Sequence, residues 1–431
     1  MIFSENLILG AGISGIAAAY ELKQQNVHSL ILEKNKSWGG LLDNFTINGF
    51  RFDKFIHLSF AQDNYVNEIF FKSPLIKHTP LPFNYYKGKW LKHPAQNNLY
   101  PLDQAEKDLI INDFKSRKQI DVADIRNYEE WLRVQFGDYF AENFSMIYTE
   151  KYWTMQAKDL ETRWIGNRLY KPTIEEVENG CNTNLTPNTY YAKEMRYPKS
   201  GGYKTFLNPM VDCLNIKTDS SVTSIDLENK EVVINSQHVY KFENLISSLP
   251  LPEICSLIKN IPLHVLEASN KLNFTSGYLI SLGFSKPEIA DKLWFYIYDK
   301  DILPARVYSP SLKSPDNAPN GCSSIQAELY FSKKSILNIA SEDILEQTIE
   351  KFISIGLFCV EDLIVKDIRS EKYANVIFDH FIYDNRKIVI DYLESNQVIS
   401  VGRFGEWDYF WSDQSMLSGR DGALKLINRF R

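Results

Sequence analysis

The first 33 residues alternate between apolar runs and a helical pattern. Residues 7–9 are all apolar, which is typical of a strand buried inside a parallel sheet. Residues 13–24 carry apolar side chains at helical spacing, and residues 27–33 return to a strand pattern that ends at Glu33. The pattern therefore predicts a strand, a helix and a second strand, which together form a βαβ unit.

Two other kinds of pattern follow in separate parts of the chain. Helical spacing predicts helices at residues 129–134, 138–148 and 159–169. Alternation of apolar and polar residues predicts strands at residues 277–284, 294–298 and 323–331. Residues 304–319 are rich in Pro and Ser, and this composition predicts a long loop.

Three glycines lie in the predicted turn between the first strand and the helix. Gly10 permits a tight turn, Gly12 lets the main chain approach a pyrophosphate, and Gly15 lets the helix pack closely against the strand. Glu33, at the end of the second strand, can accept hydrogen bonds from an adenosine ribose and disfavours a 2'-phosphate. The pattern predicts a dinucleotide site, and the glycines alone do not separate NAD from FAD.

A pair of glycines, Gly39 and Gly40, follows Glu33 by six residues. Two glycines at this point let the chain run beside a ribityl diphosphate without a side-chain clash. This pair favours FAD over NAD. The alternative interpretation is an ordinary turn.

Composition narrows the class of protein. The 431 residues are 44% hydrophobic and 24% charged, as in a globular enzyme of two or three domains. The net charge of -6 argues against nucleic acid as a partner, because phosphate contacts need a basic surface. Residues 1–6 lack the basic stretch of a signal peptide, and residues 7–19 are too short and glycine-rich to span a bilayer. We therefore expect a cytoplasmic protein without an integral membrane segment.

Several other chemistries have no support in the sequence. The five cysteines include no CxxC pair, so we predict neither a zinc site nor a disulfide framework, and no metal. No Ser-His-Asp order, HExxH motif or Walker loop is present. Only one dinucleotide-binding pattern occurs, so electrons must come from the substrate, a diffusing carrier or another protein. An external electron donor or acceptor therefore stays open as a partner.

Five segments carry a family resemblance at matching spacing. They are EKNKSWGGLLDNFTINGFRFDKFIHLSF (33–60), FGDYFAENFSMIYTEKYWTMQAKDLETRWIGNRL (136–169), YPKSGGYKTFLNPMVD (197–212), YKFENLISSLPL (240–251) and VGRFGEWDYFWSDQSMLSGRDGALKLI (401–427). Together they resemble the superfamily of FAD-dependent amine oxidases, protoporphyrinogen oxidases and UDP-galactopyranose mutases. The resemblance covers about half of the chain in the expected order.

The resemblance implies an α/β fold, α+β overall, with a Rossmann-like FAD-binding domain, an antiparallel-sheet substrate domain and a helical insert. The FAD-binding domain would be assembled from residues 1–75, 196–260 and 390–431. The helical insert would span residues 100–195, and the substrate domain would span residues 262–388. Both would cover the flavin.

The resemblance also assigns a set of positions to the cofactor, FAD. They are Gly10, Gly12, Ile13, Ser14, Gly15, Glu33, Lys34, Gly39, Gly40, Leu41, His57, Val222, Gly402, Arg403, Ser412 and Met416. His57 lies in a segment that the family places beside the flavin ring, where it could donate to the flavin or stabilise its reduced anion. A purely structural histidine is the alternative. Arg403 follows Gly402 at a strand-to-helix corner that suits a phosphate.

The mutase branch of the superfamily implies the substrate positions, which are Tyr148, Trp153, Arg168, Arg306 and Tyr409. The proposed catalytic set is His57, Arg306 and Arg403. Guanidinium forks suit a diphosphate, and bases stack on aromatic rings with about 1–3 kcal/mol each. Salt bridges for the arginines and core packing for Trp153 are the alternatives.

We therefore predict an FAD-dependent oxidoreductase that acts on a nucleotide-linked sugar by hydride transfer to or from the flavin. We expect this reaction to belong to cell-surface polysaccharide biosynthesis. A redox-neutral reaction like that of UDP-galactopyranose mutase, using reduced flavin, is the alternative. The mutase's Tyr-Asp pair is replaced by Phe410 and Trp411, and its two-histidine stretch keeps only His57, which argues against that activity. A non-catalytic flavin-binding protein is a further alternative. An amine or porphyrinogen oxidase is compatible with the fold, but the sequence gives no sign of a wholly aromatic cage.

Overall fold

The computed structural model describes residues 2–166 and 168–429. Its strands are β1 (Ile2–Leu9), β2 (Leu30–Leu32), β3 (Asn44–Ile47), β4 (Phe50–Asp53), β5 (Leu75–His78), β6 (Phe83–Tyr86), β7 (Lys89–Lys92), β8 (Met195–Pro198), β9 (Ile216–Lys217), β10 (Val222–Asp226), β11 (Glu231–Ile234), β12 (His238–Ser247), β13 (Phe274–Phe284), β14 (Trp294–Ile297), β15 (Arg306–Tyr308), β16 (Ser323–Phe331), β17 (Leu363–Val376) and β18 (Val398–Ser400). Its helices are α1 (Ile13–Gln24), α2 (Asn64–Phe70), α3 (Gln104–Ser116), α4 (Tyr128–Phe136), α5 (Asp138–Phe140), α6 (Met146–Trp153), α7 (Ile174–Asn182), α8 (Asn208–Val211), α9 (Leu251–Leu257), α10 (Leu263–Asn270), α11 (Pro310–Lys313), α12 (Ser341–Ser354), α13 (Ile382–Ser395), α14 (Gly402–Gly405) and α15 (Ser412–Ile427). In the described part of the chain, no helix combines the length and the apolar character needed to cross a membrane.

The first sheet is built around β1, which lies between β12 and β2 and runs parallel to both. Strand β9 continues the sheet beyond β2, and β18 pairs in parallel with β12. Strands β10 and β11 extend β12 as an antiparallel hairpin. Leu7, Ile8 and Leu9 are fully buried because helices cover both faces. Ile8 shares a core with α1 and α15, whereas Leu7 and Leu9 share one with α9, α10 and α13. This two-sided burial explains the continuous apolar run.

The second sheet has the strand order β17-β13-β16-β15-β14-β6-β7. Its neighbours are antiparallel, except that β14 and β6 run parallel. The strands predicted at residues 277–284, 294–298 and 323–331 are present as β13, β14 and β16. The β6–β7 hairpin also belongs to this sheet, and the sequence patterns did not assign it there.

A helical segment lies between β7 and β8, and its predicted helices are partly present. The prediction for residues 129–134 is confirmed by α4. The helix predicted at residues 138–148 is present as α5, a π-helical turn at Ala141–Ser145 and α6. The π-helical turn shifts the helical register just before α6, so it sets which side chains of α6 face inward.

The helix predicted at residues 159–169 is wrong. In the described part of this range, the local main-chain bonds form only isolated turns, such as the bond from the N–H of Ile165 to the carbonyl of Thr162 at 3.1 Å, and other main-chain groups bond to distant elements. The main-chain N–H of Glu161 donates to the carbonyl of Phe378 at 2.9 Å, and the N–H of Tyr128 donates to the carbonyl of Leu160 at 2.8 Å. The tertiary contacts therefore override the helical spacing.

The single loop predicted at residues 304–319 is also wrong. Its first part pairs with β16 as β15, with Arg306 opposite Glu328, and Pro310 begins the short helix α11. Proline is well suited to the first position of a helix as well as to loops, so the Pro-rich composition did not distinguish between them. The strand predicted at residues 27–33 is confirmed in part, because β2 is shorter.

Candidate active site

The turn between β1 and α1 has the geometry that a pyrophosphate needs. Gly10 has a φ of +93°, in the left-handed region that favours glycine. A Cβ on Gly15 would lie 2.0 Å from the carbonyl oxygen of Gly10, so a larger residue does not fit. A Cβ on Gly12 would meet no atom within 4 Å, because the main chain there borders open space. The free N–H groups at the N terminus of α1 favour an anion in that space.

Glu33 follows β2 beside this turn. Its buried carboxylate accepts hydrogen bonds from the main-chain N–H of Ala11 at 2.8 Å and from the main-chain and side-chain nitrogens of Asn35 at 2.9 and 2.7 Å. A carboxylate in this position suits the adenosine ribose of a dinucleotide. The neighbouring Lys34 pairs with Glu253 at 3.1 Å at the rim of the same space.

The glycine pair at 39 and 40 lies directly against the turn. Gly39 and Gly40 have φ values of +118° and +59°. The N–H of Gly39 donates to the carbonyl of Ala11 at 2.8 Å, and a Cβ on Gly40 would lie 3.1 Å from the Cα of Gly12. The chain passes too close here for side chains, as the FAD interpretation requires.

A second corner, between β18 and α14, packs onto the N terminus of α1. Gly402 has a φ of +84°, and a Cβ there would lie 2.2 Å from the Oγ of Ser14. The N–H of Gly402 donates to the Oγ of Ser418 at 2.6 Å. Ser412, at the start of α15, hydrogen-bonds the hydroxyl of Tyr203 at 2.8 Å.

These two corners open into one cavity of about 660 Å³, a volume typical of ligand sites. Most of the predicted cofactor positions line it, namely Gly10, Gly12, Ile13, Ser14, Glu33, Lys34, Gly39, Gly40, Leu41, His57, Gly402, Arg403 and Ser412. Their geometry fits a dinucleotide such as FAD, whose flavin half is bulky.

Three predicted cofactor positions lie outside that wall in the described structure. Gly15 packs against Gly10 and acts through that contact. Met416 is fully buried in the core of the first sheet, so it cannot reach a ligand. Val222 begins β10 opposite Ile234. The assignment of Val222 and Met416 to the cofactor is therefore not supported by their positions.

The ring of His57 has a defined orientation in the cavity wall. Its Nε2 lies 3.0 Å from the carbonyl oxygens of both Leu41 and Lys54, so Nε2 carries the proton and donates to them. Burial lowers the pKa of His57 to about 4, so the ring is neutral near pH 7 and Nδ1 has a lone pair. The prediction that His57 donates to the flavin or balances a reduced anion is therefore corrected. Its remaining ring nitrogen is an acceptor.

Arg306, on β15, is paired with a buried carboxylate. Its Nε and Nη2 donate to the Oε2 of Glu328 at 2.8 and 2.5 Å, and Nη2 also lies 3.2 Å from the hydroxyl of Tyr330. Glu328 is fully buried and accepts a further hydrogen bond from the N–H of Ile56 at 2.7 Å. The charge of Arg306 is thus balanced within the protein. Arg306 therefore forms a salt bridge with Glu328, as the alternative interpretation predicts.

Arg168 and Arg403 both lie against the ring of Tyr409. Their guanidinium carbons are 4.6 and 5.0 Å from its centroid. Arg168 donates to the carbonyls of Trp164 and Tyr409 at 2.8 Å each, and Arg403 donates to the Oδ1 of Asn375 at 2.8 Å. Each Nε is buried without a partner. Among the described residues, neither arginine has a carboxylate partner, so two cations border the cavity uncompensated.

Aromatic rings form much of the remaining wall. Tyr148, on α6, stacks on Tyr152 with centroids 5.7 Å apart and meets Tyr296 edge-on at 5.4 Å. Trp153 reaches the wall but is only 4% exposed and packs edge-on against Trp164. Most of the Trp153 side chain is therefore packed in the core, as the alternative interpretation predicts.

Sequence reasoning missed several residues of this wall, namely His93, Tyr152, Tyr190, Tyr191, Trp294, Tyr296, Tyr298, Tyr330 and Asn375. Trp294, Tyr296 and Tyr298 alternate along the strand predicted at residues 294–298, so their common face was a usable signal. Glu328 was missed because its partner Arg306 was assigned to a loop. The residue pair becomes visible only from the register of β15 against β16.

Comparison with known proteins agrees with this geometry. The family model of the NAD(P)-binding Rossmann-like domain matches residues 8–72. The 1-hydroxycarotenoid 3,4-desaturase of Flavobacterium sp. (strain P99-3) is 34% identical over 87 residues, which are 20% of this chain and 17% of the desaturase. The match thus covers less than a fifth of that enzyme's length.

Solved structures resemble the chain over nearly its whole length. The crystal structure of reduced UDP-galactopyranose mutase superposes with a TM-score of 0.92 at 21% identity and covers 99% of this chain and 96% of the mutase. A protein from Exiguobacterium sp. 255-15, assigned as a protoporphyrinogen oxidase, has a TM-score of 0.77 at 14% identity and covers 100% of both chains. The predicted α/β fold is confirmed, and FAD is the cofactor that this fold and the glycine turn indicate together. The chain has the fold of reduced UDP-galactopyranose mutase and of the Exiguobacterium protein, with a Rossmann-like domain at residues 8–72.

Proposed function

We propose that the protein is an FAD-dependent enzyme whose substrate is a nucleotide-linked sugar. The observation that carries this proposal is the pair Arg168 and Arg403, two guanidinium groups that contact Tyr409 and have no carboxylate partner among the described residues. A partly buried cation without a counter-ion is costly, so such a pair favours an anionic ligand. A diphosphate offers two charged groups to two planar forks.

The same pair argues against an amine substrate. A protonated amine would be repelled by two neighbouring cations. The many tyrosines of the cavity suit flat and polyhydroxylated groups, because bases stack on rings and hydroxyls pair with phenols. An aromatic wall with two cations therefore supports a nucleotide-linked sugar better than an amine.

The remaining residues of the cavity position the two ligands. FAD, when bound, supplies hydride acceptance or donation. The N terminus of α1 would hold its pyrophosphate and Glu33 would hold its ribose. Arg306 is held rigidly by Glu328 and orients the substrate, and the neutral His57 offers Nδ1 as a hydrogen-bond acceptor.

A redox-neutral, mutase-like reaction is the second candidate. The TM-score of 0.92 with reduced UDP-galactopyranose mutase, against 0.77 with the oxidase-like protein, favours it. The replacement of the mutase's Tyr-Asp pair by Phe410 and Trp411 favours the oxidoreductase. A role in cell-surface polysaccharide biosynthesis, a cytoplasmic location and an external electron carrier remain predictions from the resemblance.

The test begins with the visible spectrum of the purified protein. We expect an FAD spectrum that bleaches on reduction and shifts when UDP-, GDP- or dTDP-sugars are added. Consumption of reductant or oxygen in proportion to product identifies the oxidoreductase, whereas a trace of reductant that sustains many turnovers identifies the mutase-like reaction. A flavin that no sugar nucleotide perturbs contradicts the proposal and favours the non-catalytic alternative.

The arginine pair gives a direct prediction. We expect Arg168→Gln and Arg403→Gln each to weaken binding of the nucleoside diphosphate by roughly tenfold to a hundredfold, since a hydrogen bond to a charged group contributes about 1.5–3 kcal/mol. Titration of the flavin absorbance measures this loss. The matched control is Arg163→Gln, whose side chain is 67% exposed and outside the cavity wall. Equal affinity in all four proteins would contradict the anion-binding role.

A further inference from the structure

His93 is a cavity residue that none of the interactions above uses. It follows β7 and lines the cavity. Its Nδ1 lies 3.1 Å from the Oδ1 of Asn84. The amide of Asn84 has a defined orientation, because its Nδ2 donates to the carbonyls of Leu91 and Lys92 at 3.4 and 3.2 Å. An amide oxygen therefore faces the ring, and Nδ1 of His93 carries the ring proton.

The other ring nitrogen, Nε2 of His93, is left with a lone pair. It has no hydrogen-bond partner among the described residues, and solvent can reach it. Burial lowers the pKa of His93 to about 3, so the ring stays neutral near pH 7. An acceptor that opens to a ligand cavity is satisfied only by a donor from water or from the ligand.

The neighbouring tyrosines do not satisfy this acceptor. The rings of Tyr296 and Tyr190 lie 4.9 and 5.7 Å from the imidazole. The hydroxyl of Tyr190 donates to that of Tyr191 at 2.8 Å, so its proton is already used. The hydroxyl of Tyr296 accepts from the indole N–H of Trp294 at 3.2 Å, and among the described residues its own O–H makes no hydrogen bond to Nε2 of His93. The acceptor of His93 is thus surrounded by flat rings, a setting that suits a stacked ligand with a polar edge.

A continuous row of rings connects this acceptor to the arginine pair. From Tyr190 the row passes to Tyr191 at 4.2 Å and to Trp411 at 5.7 Å, where the guanidinium carbon of Arg168 lies 5.1 Å from the indole. All of these residues line the same cavity. A ligand whose phosphates lie at Arg168 can therefore extend along the row toward His93.

We propose that Nε2 of His93 is a substrate-recognition acceptor that takes a hydrogen bond from an O–H or N–H donor of the nucleotide-linked sugar. This inference rests on the proposed function. A ligand that lacks the donor leaves a desolvated acceptor without a partner, which discriminates strongly against it. His93 would thereby select among sugar nucleotides that carry the same diphosphate.

Two substitutions separate the roles of the two ring nitrogens. His93→Asn keeps a nitrogen near Nδ1 that donates to Asn84 but removes the acceptor at Nε2. His93→Gln keeps an amide oxygen near Nε2 but loses the donor to Asn84. The probes are the UDP-, GDP- or dTDP-sugar that shifts the wild-type flavin spectrum most, and its nucleoside diphosphate without the sugar. We expect His93→Asn to raise the Kd about tenfold and His93→Gln to restore most of the affinity.

The two probes locate the donor. A loss for the nucleoside diphosphate as well as for the sugar nucleotide assigns the donor to the nucleoside, and a loss for the sugar nucleotide alone assigns it to the sugar. Either result supports the inference. Wild-type affinity of His93→Asn for both probes, with an unchanged FAD spectrum and thermal midpoint, overturns the inference and leaves the proposed function standing. A wild-type protein that binds FAD but neither probe overturns both.

A measurement on the wild type alone covers the case in which the variants do not fold. Analogues that lack one donor at a time, such as monodeoxyfluoro sugars and an N-methylated base, are titrated against the FAD-loaded protein. We expect one analogue to lose about tenfold in affinity. Equal affinity for the whole series overturns the inference.

Discussion

The glycines of the turn after β1 are required for different steric reasons at neighbouring positions. Gly15 is constrained by the protein itself, because a Cβ would collide with the carbonyl of Gly10. Gly12 is constrained only by the ligand, since a Cβ would project into open space and its φ of -76° is accessible to any residue. One motif therefore contains one residue needed for folding and one needed for binding.

This difference gives a prediction at the residue scale. We expect Gly12→Ala to keep the stability of the FAD-free protein and to weaken FAD binding at least roughly tenfold, because the methyl group occupies the pyrophosphate path. Gly15→Ala should destabilise the FAD-free protein by about 1–3 kcal/mol, the usual cost of overpacking. Urea unfolding of the FAD-free proteins and FAD titration measure the two effects. If both variants unfold alike, the distinction is wrong.

Two neutral histidines in the cavity wall give a prediction on pH. Burial lowers the pKa values of His57 and His93 to about 4 and about 3 from an ordinary value of 6.5. Below pH 6.5 the unfolded chain takes up protons that the folded chain does not, so stability is complete above that pH and falls as the pH decreases toward 4. Each histidine contributes a slope of up to about 1.4 kcal/mol per pH unit. Urea unfolding at about pH 7.5 and 5 measures the slope, which we expect to be smaller in His57→Gln.

The residue types of the site could be predicted from sequence, but their electrostatic state could not. The glycine turn, Glu33 and the arginines are local signals with known spacing. The neutrality of His57 depends on its burial, its tautomer depends on the carbonyls of Leu41 and Lys54, and the pairing of Arg306 depends on a strand register. Such states follow from contacts between distant segments, which no local pattern contains.

At the scale of elements, Lys151 joins the helical segment to the second sheet. It lies in the last turn of α6, and its Nζ donates to the carbonyls of Ile297, Asp299 and Ile302 at 3.1, 3.0 and 2.7 Å. These carbonyls belong to the last residue of β14 and to the connection that follows it. The single amino group of Lys151 thus sets the distance between two walls of the cavity.

We expect Lys151→Met to destabilise the protein by roughly 2–4 kcal/mol, because three carbonyls lose their donor while the replacement fills a similar volume. The affinity for the sugar nucleotide should fall with it, since α6 also carries Tyr148. The denaturant midpoint and the flavin titration measure these changes. The matched control is the exposed Lys158→Met. Equal midpoints for the two variants would show that the joint contributes nothing.

Elements that depend on local contacts were predicted well, and those that depend on partners were not. The bounds of α1 agree with the predicted helix at residues 13–24, because its apolar face and glycine start are contained in the segment itself. Residues 159–169 have helical spacing, yet their main chain bonds to α4 and to the chain near Phe378. Strand β15 exists only because β16 and β14 lie on either side of it.

At the scale of the whole molecule, the cavity is closed by segments that are distant in sequence. The predicted three-piece FAD-binding domain supplies β1, β12 and β18, which lie side by side. Helix α13 also packs against α10 and β18, and the β6–β7 hairpin lies in the second sheet. We therefore propose that the third piece begins near Ile382 and that residues 83–92 belong to the substrate domain.

Cofactor removal tests this arrangement. We expect FAD at about a hundredfold excess over its Kd to stabilise the protein by about 2.7 kcal/mol and to raise the Tm, because it binds only the assembled segments. Thermal unfolding with and without FAD measures the gain. The Gly12→Ala variant serves as control, since it should match the wild type without FAD and gain less at the same FAD concentration. A Tm that does not respond to FAD would contradict this picture.

The close contact between the two corners also affects how the protein is made. Gly419 of α15 approaches the N terminus of α1 so closely that a Cβ would lie 2.1 Å from the carbonyl oxygen of Ser14. The ribosome delivers β18 and α15 long after β1 and α1, so part of the apolar surface of β1 and α1 stays uncovered during that interval of translation, when chaperones are most needed. A nascent chain that ends shortly before residue 398 would contain every glycine of the first turn but would lack β18 and α15. We therefore expect that it could not yet retain FAD.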